Sequence, residues 1–73
     1  MRQQIKDILS LTLRSEIADD CSQRNCHNWD SLNHLNIVIA LEETFDISFE
    51  PEEIAEMTDI DTIEFFILKK RQA

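Results

Sequence analysis

The abrupt change of character at Asp30 constrains this chain more than any other feature: a long polar stretch ends there and an apolar run, Leu32 through Phe45, begins. Asp30 is a good N-cap residue, because its short carboxylate can accept from the free backbone N–H groups of the turn that follows. A helix is therefore predicted to start at Ser31 and to run to about Thr44 or Phe45. At ~100° per residue, Ile37, Val38, Leu41 and Phe45 fall within one arc, while Leu32, Leu35 and Ile39 form a second stripe beside it. That is more apolar surface than a simple surface helix needs. One arc can be core. The other, bordered by Asn36, Glu42 and Glu43, is either buried between neighbouring helices or faces outward as an apolar strip rimmed by acids, an arrangement that suits transient docking.

The rest of the chain reads as helices around that one. Over residues 2–14, Ile5, Ile8, Leu9 and Leu13 lie on one face while Arg2, Gln4, Lys6 and Asp7 keep to the other, which predicts a first helix. From Ser15 to Asp30 no helical period survives. This is a loop longer than most in so small a protein, and Ile17 and Trp29 are the side chains that can pin it. Ile47 and Phe49 alternate with Ser48 and Glu50, yet no partner strand exists, so they read as anchors of an extended link. Pro51 at a first helical position, followed by Glu52 and Glu53, starts a short third helix ending near Met57. Thr58 with Asp61 resembles a capping box that opens a fourth helix over roughly 59–70. Its apolar positions are Ile60, Ile63, Phe66 and Ile67, flanked by Phe65 and Leu68, and Lys69, Lys70 and Arg71 complement its C-terminal dipole. The expected architecture is all-α: a bundle of three longer helices and one short one around a single core.

Seventy-three residues allow one small domain, 1–73, near the size where a single core gives marginal stability, and leave little protein to wall an enzyme pocket. Fifteen acids against seven bases, a net charge of −8, argue against nucleic acid and anionic membrane surfaces as partners and for basic protein surfaces. The acidity is concentrated: eleven acids and no Lys or Arg lie between Asp30 and Glu64. The longest apolar run, Ile37 to Leu41, is too short to cross a bilayer, and the N-terminus does not read as a signal peptide. A monomer in the cytoplasm is expected, with Cys21 and Cys26 as reduced thiols.

Ser31 is the candidate for chemistry. A hydroxyl at the first helical position sits in the positive end of the helix dipole, which favours an anionic group attached there and makes it a suitable mount for a phosphodiester. A nucleophilic set of Ser31, Asp30, His27 and His34 lacks an oxyanion hole, a substrate pocket and a Gly-x-Ser-x-Gly elbow. His34 reads instead as a polar residue of the helix's first turn, and His27 as a loop residue. Cys21, Cys26, His27 and His34 do not have a recognised zinc spacing and read as ordinary side chains. A calcium loop from Asp46 fails because Pro51 and Met57 occupy its sixth and twelfth positions. The acids from Glu50 to Glu56 read as a solvated face. No catalytic or metal-ligating set is assigned.

Asp30-Ser31-Leu32, followed by His34 through Ile47 with its Ala40-Leu41-Glu42-Glu43 run and Phe45, and then by Pro51-Glu52-Glu53-Ile54 leading to a last helix, resembles the acyl carrier proteins. The resemblance extends from about Ile5 to Leu68. In that family the serine of Asp-Ser-Leu carries 4′-phosphopantetheine. The resemblance thus implies modification of Ser31 by a phosphopantetheinyl transferase, an acyl group held as a thioester on the arm's terminal thiol, and delivery to partner enzymes by a protein that performs no chemistry itself. It also implies that Asp30 helps the transferase hold its metal and coenzyme A, and that Glu42 and Glu43 meet basic patches on partners beside Leu32, Leu35 and Ile39. Asn33 and Asn36 stand where many members have acids. Trp29 precedes Asp30 in a chain without Gly, where many members have a Gly two residues before the serine, and the Trp-Asp-Ser-Leu form looks like that of dedicated, discrete carriers. The alternatives are a free-standing aminoacyl or peptidyl carrier and an acidic helical interaction module that is never modified.

Overall fold

Four helices, α1 (Arg2–Leu13), α2 (Ser31–Phe45), α3 (Pro51–Glu56) and α4 (Ile60–Gln72), follow one another in a computed structural model that describes residues 1–72. Among the described residues there is no strand, only an isolated bridge between Ser22 and Asp59. The all-helical expectation holds. No helix among the described residues is long and apolar enough to cross a membrane.

Periodicity decides burial. Helix α1 packs against both α2 and α4 through Ile5, Leu9 and Leu13. Helix α2 contributes Ile37, Val38 and Leu41, and α4 contributes Ile60, Ile63, Phe66 and Ile67. Trp29, Phe49 and Met57 close the core from the connections, with Ile17, Phe45 and Ile47 packed against it. Each such side chain contributes about 1.5–3 kcal/mol on burial. Polar ties brace its rim. Arg2 reaches Asp61 at 2.6 Å and Glu64 at 3.0 Å on α4, and Lys6 reaches Asp19 at 3.0 Å in the loop. The hydrogen bond to Asp61 raises the Arg2 guanidinium above its ordinary pKa, and Lys6 lowers that of Asp19.

The chain has no glycine, yet α1 and α2 both end in the left-handed conformation that glycine normally supplies. Arg14 at φ 56°, ψ 45° and Asp46 at φ 55°, ψ 53° take those positions, their N–H groups donating to Ser10 O and Glu42 O.

Three expectations need correction. The fourth helix opens one residue later than the Thr58–Asp61 pattern suggests. Asp59 caps it, with Oδ1 accepting from Thr62 N–H at 2.8 Å while Thr62 Oγ1 accepts from Asp59 N–H at 3.2 Å. Thr58 stays outside the helix, and its carbonyl accepts from Gln23 N–H at 2.8 Å. The acids of Glu50 to Glu56 are not uniformly solvated: Glu53 is only 9% exposed, accepts from Glu50 N–H at 2.7 Å and pairs with Lys70 of α4 at 2.8 Å. The Glu50 N–H, then Lys70, hold its carboxyl below the usual range, and Glu53 in turn raises Lys70.

Cys21 and Cys26 are not reduced thiols but a disulfide. The turn between them, in which Cys26 N–H donates to Ser22 O at 2.9 Å, brings their Cα atoms to 5.9 Å, within disulfide reach. That bond removes the support which free thiols lent to a cytoplasmic placement.

Candidate functional site

The first turn of α2 is built from short-range polar chemistry. Asp30 is the N-cap, in extended conformation, and its Oδ1 accepts from Asn33 N–H at 2.8 Å. Ser31 therefore stands at the first helical position, exposed, with its own N–H and that of Leu32 preceding the first intrahelical donor, His34 N–H, which bonds Asp30 O. An anionic group on the Ser31 oxygen would meet those N–H groups and the positive end of the dipole.

Three ties hold this turn to the rest of the molecule. Asn28 Nδ2 donates to Leu13 O at 3.0 Å, satisfying a carbonyl at the end of α1, and Asn33 Nδ2 donates to Asn28 O at 2.8 Å. The third tie runs through His34, which is only 8% exposed. Trp29 Nε1–H donates to His34 Nδ1 at 2.9 Å, and His34 Nε2 lies 2.7 Å from Ile54 O on α3. Because Nδ1 must accept from the indole, the proton belongs on Nε2, which donates to Ile54 O; both ring nitrogens of a neutral imidazole are then satisfied. The Trp29 and His34 ring centroids are 6.2 Å apart and the ring planes 27° from parallel, as an edge-to-edge hydrogen bond requires.

His34 corrects the reading of it as a mere polar residue of the turn. The signal was present: His34 lies three residues before Ile37, four before Val38 and seven before Leu41, on the inner arc of α2. Both of its ring nitrogens are engaged by Trp29 and Ile54, so His34 offers no free nitrogen to Ser31. His27 is exposed in the loop, and the bonded cysteines offer no thiolate to a metal.

The outer face of α2 carries the remaining candidates. Leu32, Leu35 and Ile39 are 70%, 52% and 53% exposed, and with Ser31, Asn36 and Glu43 they occupy one arc of ~140°. Glu42 is placed differently. It is half-buried, and its Oε2 accepts from Phe49 N–H at 2.9 Å, tying α2 to the link that leads to α3. Pattern alone could not show this, since the donor is seven residues away in an irregular segment.

No protein-family model matches the chain. No curated protein matches it in sequence. In three dimensions it is similar to the crystal structure of an acyl carrier protein from Thermotoga maritima, with a TM-score of 0.79 over 96% of this chain and 85% of that one, at 18% sequence identity. The fold of this chain is thus that of an acyl carrier protein.

Proposed function

We propose that the protein is an acyl carrier whose Ser31 is esterified with 4′-phosphopantetheine by a phosphopantetheinyl transferase. The observation that carries the reading is an exposed serine at the first position of a capped helix, beside an exposed apolar stripe, in a fold shared with an acyl carrier protein. The residues fit the group: the hydroxyl is open to solvent, and the helix terminus suits a phosphodiester. When bound, the arm supplies a thiol able to hold an acyl group as a thioester.

The chain's own residues position and present. Asp30 fixes the helix start with one carboxylate oxygen, and a carboxylate has a second with which to meet the cation of an attacking enzyme complex. Leu32, Leu35 and Ile39 form the apolar anchor for a partner, and Glu43 with the other α2–α3 acids steers basic surfaces toward it. The four-helix framework encloses no reaction and delivers its cargo to enzymes that do.

Incubation with a transferase and coenzyme A tests the reading by intact mass. One phosphopantetheine should be added to the parent and none to Ser31→Ala, whose helical signal should match the parent's. Modification of the alanine variant, or none of the parent with any of several transferases, would sink the assignment.

A further inference from the structure

The loop entering α2 contains one covalent bond that the carrier reading does not use. Cys21 is 2% exposed and belongs to the core, whereas its partner Cys26 is half-buried. Their disulfide closes the Ser22–Asn25 turn, which is docked on the α3–α4 link by Gln23 N–H to Thr58 O at 2.8 Å and by the Ser22–Asp59 bridge. From Cys26 the contacts continue without a gap. Cys26 O accepts from Trp29 N–H at 2.9 Å, the Trp29 indole donates to His34, and His34 is anchored to Ile54 O. Asp30 and Ser31 follow directly.

We infer that the Cys21–Cys26 disulfide is a redox-sensitive latch on the first turn of α2. Closed, it fixes Cys26, and through it the Trp29–His34 pair that positions Ser31. Open, it lets that turn fray while the core stays intact, because reduced Cys21 is still a small apolar side chain in its own site. The polar ties from Asn28 and Asn33 keep the opening local.

A dithiol is the chemical class that opens it. One thiolate attacks Sγ of Cys26, the more accessible sulfur, and the S–S electron pair leaves on Cys21 Sγ, which takes up a proton. The reagent's second thiolate then attacks its own sulfur in the mixed disulfide and releases Cys26, which is protonated in turn. Two electrons and two protons pass to the protein, and the reagent leaves as a cyclic disulfide.

The effect on modification rests on the reading of Ser31 above; the mechanical effect does not. The test compares oxidised protein, dithiothreitol-reduced protein and a Cys21→Ala/Cys26→Ala variant, by amide hydrogen exchange and by modification rate with a transferase and coenzyme A. Trp29, the single tryptophan, adds a fluorescence readout. Expected are exchange at the Trp29 and His34 amides about tenfold faster in the reduced and variant forms, more than at amides of α1, and modification several-fold slower. Equal exchange and equal rates in oxidised and reduced protein overturn the latch and leave the carrier reading standing. No modification in either state, with the exchange difference present, overturns the carrier reading and supports the latch.

Discussion

Helices α1 and α2 bury matching inner edges and differ in what they turn to solvent. The outer side of α1 is polar, with Gln3, Gln4 and Asp7 exposed, Arg2 and Lys6 drawn into ion pairs, and one isolated apolar residue, Leu11. A single exposed leucine is ordinary. The outer side of α2 instead lines up Leu32, Leu35 and Ile39 at helical spacing beside Ser31. Folding gains less from those three side chains than from buried ones, because half or more of each stays in water. The contrast teaches that burial explains all of α1 but only half of α2, and the unexplained half is the half next to the exposed serine.

The largest test of that contrast is to truncate the inner edges. Leu9→Ala and Ile37→Ala, both at fully buried positions, should each cost about 2–5 kcal/mol in urea unfolding. A cost under about 1 kcal/mol at either would break the claim that the two inner edges are equivalent. Next is the polar anchor that α2 has and α1 lacks: His34→Ala leaves the Trp29 indole and the Ile54 carbonyl unpaired and should cost about 1–3 kcal/mol. The unfolding midpoint checks it, and an unchanged midpoint would mean that water replaces the imidazole.

Smaller effects come from the two left-handed helix ends. Arg14→Gly should stabilise by about 0.5–1 kcal/mol, and Asp46→Gly by less, since Asp tolerates that conformation better than Arg. Equal gains would show that the backbone at both ends carries the same strain.

The α3–α4 tie adds a pH dependence. Glu53 has a lowered pKa in the folded state, so its contribution is complete above the ordinary Glu value of about 4.3 and is lost as pH falls through the lower folded value. Lys70 is raised, so its contribution is lost only as alkaline pH passes that raised value. Glu53→Gln should therefore unfold at lower urea than the parent near neutral pH and lose part of the parent's acid sensitivity. Parallel acid titrations of the two would argue against the tie.

The smallest stability effect should be at the outer stripe of α2, where Ile39→Ala should shift stability by less than about 0.5 kcal/mol and, on the carrier function proposed above, slow modification at Ser31. A sharp fall in melting temperature with unaltered kinetics would place Ile39 in the core and erase the contrast with α1. Glu43→Lys is the matching charge test, because Glu42 also holds Phe49 N–H and its replacement would mix docking with folding.

Local chemistry was legible in the residues. The cap at Asp30, proline at the start of α3 and the spacing of Ile60, Ile63, Phe66 and Ile67 act within a turn or two of chain, so the sequence determined the helices and placed Ser31 at a helix start. Which of the two apolar stripes of α2 would be outermost was less plain, since both satisfy a helical period. The resemblance to carrier proteins, rather than the period, chose between them.

What the tertiary structure decided are the pairings between residues far apart in the chain. Thr58 pairs through its carbonyl with Gln23 while Asp59 caps α4, Glu42 was taken by Phe49 and Glu53 by Lys70, and His34 was drawn inward between Trp29 and Ile54. The two cysteines met because a turn stabilised at Ser22 and docked on the α3–α4 link brought them together. A side chain's local pattern states which partners it can accept; only the folded chain brings one of them within 3 Å or so, the distance at which a hydrogen bond forms.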